Sequence, residues 1–160
     1  GGGGMILTNN PELAAKAKHI TTTAKVAHPW NYVHDMIGYN YRLTNLAAAL
    51  GVAQMEQLPA ILENKRNLAQ LYIDFFANDS ITFVEEKENC KANYWLNAVL
   101  LENRNERDAF LEFTNNQGVM TRPIWELMNR LVMFKDCQTE DLSNSEWLVD
   151  RVVNIPSSVV

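Results

Sequence analysis

Residues 38–42, Gly-Tyr-Asn-Tyr-Arg, gather groups that bind anions. Asn40 carries an amide donor, and Arg42 a planar guanidinium that forks onto a carboxylate or a phosphate. Gly38 permits a close backbone approach or an unusual backbone angle. An Ala-rich helical pattern follows, so the cluster precedes a helix N-terminus, whose dipole adds positive potential. Donor, cation and dipole together suit an anionic ligand. The same residues also suit a well-bonded turn that caps the helix, with Arg42 in a structural ion pair. Thr-Arg-Pro-Ile-Trp at 121–125 poses a similar choice. Arg122 and Trp125 stand at the end of an expected strand, where binding residues are common, yet a tryptophan there is more often core than platform.

Other chemistries find less support. His19, His28 and His34 are the histidines of the chain, and none stands at ligand spacing from a cysteine or carboxylate on an expected helix. His34-Asp35 is a bare dipeptide, so no metal site is expected. No Gly-x-Ser-x-Gly turn exists to seat a hydrolase serine. The opening Gly-Gly-Gly-Gly could present bare amides to a phosphate. It precedes an expected strand rather than a helix, however, and no Gly-Lys-Ser/Thr follows. Taken alone, a linker or a segment of close backbone approach accounts for it better.

The elements that must position these residues follow from period and punctuation. Met-Ile-Leu-Thr at 5–8 reads as a short strand. Asn10, Pro11 and Glu12 form a helix start: a cap, a proline at the first turn and an early acid. Residues 21–37 lack a period and read as a long loop, a feature that is often functional. Thr44 or Asn45 caps the next helix. Leu43, Leu46, Ala47, Leu50, Leu58, Ile61, Leu62, Leu68, Leu71, Phe75 and Phe76 then recur at three-four spacing. Pro59 should kink or interrupt that helix. Strands are expected in Ile-Thr-Phe-Val-Glu-Glu (81–86), Asn-Tyr-Trp-Leu-Asn-Ala-Val-Leu-Leu (93–101) and Val-Met-Thr-Arg-Pro (119–123). A helix is expected from Asn105 as cap, with Asp108 at its start, to Gly118 as stop. Ser143 and Glu146 stand at capping-box spacing before a last helix. The boundary between two structural units should lie near 77–80, at the end of the long helix.

Composition narrows the classes. With 160 residues, 47% of them hydrophobic, the chain can build a sizeable core. A net charge of −5 argues against nucleic acid as a partner, which wants a basic face. No apolar run approaches the roughly 18 residues of a membrane helix. No leader peptide is visible at the start. Cys90 and Cys137 are far apart, so two free thiols in a cytoplasmic protein are expected.

On these residues the chain resembles the DegT-type sugar aminotransferases, pyridoxal-phosphate enzymes of the aspartate-aminotransferase fold. The resemblance rests on Gly38, Asn40, Arg42, Asn45, Ala48, Ala49, Gly51, Gln54 and Gln57-Leu58. Lys-Arg-Asn-Leu-Ala-Gln-Leu-Tyr (65–72), Val-Met-Thr-Arg-Pro-Ile-Trp (119–125) and Asn-Ile-Pro-Ser-Ser (154–158) resemble later family landmarks. The run from Tyr32 through Asn45 looks most like the branch acting on nucleotide-linked amino-keto sugars of the bacillosamine and legionaminic type.

The resemblance implies an α/β fold, the C-terminal part of a fold-type I transferase. Residues 1–79 would be the end of the large domain plus a long connecting helix, and 80–160 a small α/β domain. Gly-Gly-Gly-Gly-Met-Ile-Leu would be the strand just after the Schiff-base lysine. That lysine and the residues that sandwich the pyridine ring would be missing, and no catalytic residue is assigned here. Lys16, Lys18, Lys25, Lys65, Lys87, Lys91 and Lys135 stand where solvated lysines usually do. By the same resemblance Asn40 would reach the cofactor phosphate of a neighbouring subunit. Arg42 would hold a substrate anion, either the amino donor's carboxylate or part of the sugar nucleotide. Arg122, Trp125 and His34 would be further substrate contacts. The intact enzyme would move an amino group from glutamate to a nucleotide-linked keto-sugar. This chain alone would bind no pyridoxal phosphate and be inactive. It would pair with a second copy or with the missing N-terminal portion. The alternative is a non-catalytic association module derived from the same family.

Overall fold

The computed structural model describes residues 2–159, so Gly1 and Val160 lie outside it. By proximity of its Cα atoms the chain divides into Gly1–Leu58 and Pro59–Val160. This division falls inside the long helix, upstream of residues 77–80. It is a grouping by compactness, whereas the expected 1–79 and 80–160 are family domains.

In the first unit, helix α1 spans Pro11–Thr21. The Asn10 side chain accepts from the N–H groups of Glu12 and Leu13 at 2.9 and 3.1 Å, so the expected start forms as read. The expected strand at 5–8 does not form. Met5, Ile6 and Leu7 are exposed, and no neighbouring strand among the described residues takes their backbone groups. The loop 22–44 is not shapeless. It folds back on itself through isolated bridges pairing Thr22 with Asn40 and Lys25 with His34.

Helix α2 spans Asn45–Phe76. Thr44 supplies its cap: its hydroxyl accepts from the Ala47 N–H at 3.3 Å, and its carbonyl from the Ala48 N–H at 2.9 Å. Pro59 does not interrupt the helix, which continues through it with the one main-chain donor that proline lacks left out.

The second unit holds β1 (Thr82–Phe83), β2 (Asn97–Leu100), α3 (Arg104–Asn116), β3 (Arg122–Pro123), α4 (Ser143–Val149) and β4 (Val152–Ile155). Two single 3₁₀ turns, Met128–Arg130 and Val132–Phe134, stand between β3 and α4. The sheet order is β1-β2-β4-β3, and every pairing is antiparallel. Asn97 faces Ile155 and Leu100 faces Val152 in the central pair. The strands are shorter than the sequence suggests, and single bonds extend them, Val84 N–H to Ala98 O and Leu101 N–H to Arg151 O. Pro123 is tolerated because β3 is an edge strand.

The core lies between this sheet and the C-terminal half of α2. Ala69, Phe83, Val99, Leu101, Val153 and Ile155 are buried together, with Tyr72, Phe76 and Phe110 against them. Helix α3 is capped by Asn103, not Asn105, through bonds from the N–H groups of Asn105 and Glu106. The helix therefore starts sooner, and Asp108 sits in its second turn beside Arg107 and Arg104. It ends at Gln117, and Gly118 takes the left-handed conformation (φ 79°) that the stop signal requires. The capping box at Ser143 and Glu146 does not form. Ser143 is already helical, Asp141 accepts its N–H and hydroxyl, and Glu146 faces Arg130.

The landmark at 65–72 is a fastening. Lys65 Nζ donates to Ser157 O at 2.6 Å and to Trp95 O at 3.3 Å. Arg66 donates to Ala92 O and to the Glu86 carboxylate, and Tyr72 to Pro156 O. These bonds hold the approach to β2 and the exit from β4 onto α2. Among the described residues the Asn97 side chain is buried with no hydrogen-bond partner for its amide or its carbonyl, a costly arrangement. Both cysteines are exposed and unpaired. Among the described residues no helix is long and apolar enough to cross a membrane, and no cluster of metal-ligating side chains exists.

Candidate functional site

The anion-binding candidates of the first unit converge on one corner. After α1 the chain turns sharply at Thr23 and Ala24, whose φ values of 74° and 50° lie in the left-handed region. That region is costly for a β-branched residue such as threonine. Ala24 is wholly buried. Residues 38–42 are laid along this corner by main-chain bonds. Tyr39 N–H donates to Ile20 O at 2.7 Å, Thr23 N–H to Tyr39 O at 3.0 Å and Tyr41 N–H to Thr21 O at 2.9 Å. Gly38 is where the two segments touch. A Cβ there would stand 2.5 Å from the Thr23 carbonyl carbon and 2.6 Å from Ala24 N, so glycine is required for closeness.

Three of the expected site residues meet here. His34 Nδ1 lies 2.7 Å from Thr23 O. A carbonyl only accepts, so Nδ1 carries the proton. Arg42 donates one N–H to Thr22 O at 3.3 Å, and among the described residues it has no ion-pair partner. Asn40 bridges to Thr22 through its main chain, while its exposed side-chain amide makes no hydrogen bond among the described residues. The structural ion pair that would explain Arg42 away is thus absent among the described residues. Both side chains keep donors free at one place.

A cleft of about 1040 Å³ opens beside this corner, lined by Gly3, Lys18, Thr21, Tyr41, Arg42 and Thr44 among others. Asn40 does not line it. Arg122 and Trp125 belong to the second unit. Arg122, paired through its backbone with Asn154, is exposed, and among the described residues its guanidinium makes one hydrogen bond, to the Met120 sulfur at 3.7 Å. Trp125 is not core: it is 70% exposed and stacks on Trp95, itself 65% exposed, with centroids 6.5 Å apart.

Sequence reasoning missed the pair that closes the loop. His19 Nε2 and Asp35 Oδ1 lie 2.6 Å apart, and Asp35 N–H donates to Ala24 O. The hydrogen bond from His19 holds the Asp35 carboxyl below the usual carboxylate range, aided by the charges of His19 and His34. His28 Nδ1 accepts the N–H groups of Trp30 and Asn31 at the loop tip. All three histidines therefore organise this loop, a role hidden when histidines are weighed only as metal ligands.

This α/β architecture is shared with solved aminotransferases. The sequence model of the DegT/DnrJ/EryC1/StrS aminotransferase family matches residues 1–159, and the chain belongs to that family. The family is pyridoxal-phosphate dependent. The GDP-perosamine synthase of Vibrio cholerae is 33% identical over 162 residues, which cover 98% of this chain and 43% of that protein. The UDP-4-amino-4,6-dideoxy-N-acetyl-beta-L-altrosamine transaminase of Campylobacter jejuni is 32% identical over 101 residues, 62% of this chain and 27% of that protein. The crystal structure of the aminotransferase TlmJ from Streptoalloteichus hindustanus superposes with a TM-score of 0.82 at 18% identity, over 93% of this chain and 40% of that one. The chain thus spans less than half the length of the relatives it matches.

Proposed function

We propose that this chain is the C-terminal portion of an aminotransferase that moves an amino group from glutamate to a nucleotide-linked keto-sugar. In this reading residues 1–79 complete the large domain and supply the connecting helix, and 80–160 are the small domain. The observation that carries it is the corner at Thr22–Thr23, where a main-chain bridge sets Asn40 and the Arg42 side chain donates one N–H to Thr22 O, with other side-chain donors left over. Those donors fit the phosphate end of pyridoxal phosphate and the anions of its substrates. Asn40 donates its amide N–H to a phosphate oxygen held by the neighbouring subunit. Arg42 takes the amino donor's carboxylate or part of the sugar nucleotide. His34, with Nδ1–H committed to Thr23 O, offers Nε2 as an acceptor toward the substrate. Arg122 and Trp125 serve the sugar side. Pyridoxal phosphate, when bound, supplies the electron sink of the reaction.

None of the seven lysines of this chain stands in the motif that holds the cofactor, so the chain by itself performs no transamination. The test mixes the purified chain with pyridoxal phosphate, reduces with borohydride and maps the peptides. The expected result is scattered, substoichiometric labelling. One lysine labelled stoichiometrically, with turnover of glutamate, would overturn it. Association is part of the same reading. Leu46 and Leu50, one turn apart on one face of α2, are more than half exposed, as expected of a face that a second copy or the rest of the enzyme covers.

A further inference from the structure

We infer that His19 and Asp35 form a clasp that positions residues 38–42, and with them Asn40 and Arg42. The inference rests on the reading of Asn40 as an anion contact and adds two residues that bind nothing themselves. The loop leaves the corner after Ala24 and must return to it at Gly38. Its return is fixed at Asp35 from two sides: the side chain meets His19 Nε2 at 2.6 Å, and the N–H donates to Ala24 O at 3.3 Å. His19 belongs to the last turn of α1 and its carbonyl accepts the Ala24 N–H at 2.8 Å. The clasp therefore ties the loop to the residue whose left-handed turn receives Gly38.

Only two residues, Met36 and Ile37, separate Asp35 from the Gly38 contact, where a methyl group would not fit. So short a segment transmits the position of Asp35 to Gly38 with little slack. The other titratable group acting on Asp35 is His34, whose Nδ1–H is engaged with Thr23 O. His19 is thus the one imidazole bonded to the carboxylate. The bond needs an acceptor at Asp35 and not a charge, because an amide oxygen can take the same N–H. That separates positioning from charge.

The test uses the ¹⁵N-labelled chain and the variants Asp35→Ala, His19→Ala and Asp35→Asn. Hydrogen exchange of the Tyr39 and Tyr41 amides is read by NMR, with the amides of Val99 and Val153 in the second unit as the folding control. Asp35→Ala and His19→Ala should speed exchange at Tyr39 and Tyr41 at least about tenfold and leave Val99 and Val153 unchanged. Asp35→Asn should restore rates to within about threefold of wild type. Inorganic phosphate is then titrated while the Asn40 side-chain amide signal is followed. Wild type and Asp35→Asn should show a saturable shift, and Asp35→Ala should bind at least about tenfold more weakly. Unchanged exchange in Asp35→Ala and His19→Ala would overturn the clasp, even if phosphate moves Asn40. Loss of Val99 and Val153 protection in both alanine variants would overturn it too, because the pair would then serve stability at large. The expected exchange pattern with an Asn40 signal that phosphate never moves would support the clasp and overturn the anion reading alone.

Discussion

Replacing Gly38 with alanine should open the corner between α1 and residues 38–42. The added methyl would lie 2.5 Å from Thr23 C, 2.6 Å from Ala24 N and 2.8 Å from Ala24 Cβ. Carbon atoms in contact rest at about 3.5–4.0 Å, so the two segments must part by about 1 Å. The atoms in the way are backbone, or are attached directly to it, and cannot rotate aside. Gly38 has no left-handed φ, so the substitution is strained by space alone. Parting the segments stretches the bonds Tyr39 to Ile20, Thr23 to Tyr39 and Tyr41 to Thr21. Overpacking costs about 1–3 kcal/mol, and each bond surrendered to water about 0.5–1.5 kcal/mol. With one of these bonds lost and the others only lengthened, the local cost is about 2–4 kcal/mol. At about 1.4 kcal/mol per factor of ten, exchange of the Thr23, Tyr39 and Tyr41 amides should accelerate about 30-fold to several hundred-fold. Gly51→Ala is the matched control. That glycine lies within α2 with nothing within 4 Å of the added Cβ, so alanine should stabilise the helix by about 0.5–1 kcal/mol. Gly38→Ala exchange within about threefold of wild type, or Gly51→Ala as the more damaging change, would refute the close-approach argument.

Leu50→Asp places a carboxylate on the exposed face of α2 and should shift the chain toward monomer; sedimentation of both proteins over a range of concentrations reads it, and an unchanged distribution counts against association through this helix. Glu86 accepts the Ala92 N–H at 2.8 Å and an Arg66 N–H at 3.1 Å, and these bonds, the backbone one foremost, hold its carboxyl below the usual value. A carboxylate with a depressed folded pKa stabilises above its unfolded pKa, and the stabilisation is lost as pH falls through the folded value. Urea midpoints measured from pH 6 downward should therefore drop less steeply in Glu86→Gln than in wild type, and parallel curves would show that Glu86 contributes nothing to the acid limb.

What the sequence disclosed depended on whether the signal was local. Asn10-Pro11-Glu12 announces α1, and the three-four pattern carries α2 to Phe76, because capping and amphipathicity need only near neighbours. Gly118 was readable for the same reason. The apolar run at 5–8 looked like a strand, but a strand is defined by a partner, and none is present among the described residues. Asn105 looked like a cap because it is an asparagine near a helix start, and so is Asn103, which wins by two residues. Trp125 looked like core on hydrophobicity, yet its partner is another exposed tryptophan, Trp95. At the candidate site, Gly38, Asn40 and Arg42 were legible because they are contiguous. Thr23 and Ala24 were not, since nothing in Thr-Thr-Thr-Ala marks a left-handed turn. Nor was His19 with Asp35, which only folding brings together.

The strand order has a consequence for the making of the protein. β4 occupies an inner position, between β2 and β3, and it is the last of the four in the chain. A ribosome delivers β1, β2, α3 and β3 before it, so β3 emerges with no strand to join and β2 with one edge open. The staple from Lys65 to Ser157 also waits on residues beyond β4. Until β4 has left the exit tunnel, the nascent second unit holds an unfinished sheet with Val99 uncovered, a state prone to aggregation. Its sheet therefore cannot close before β4 has been made. A pause placed just before Val152 should prolong exposure, whereas the same pause before Asn45 would leave the second unit's sheet untouched.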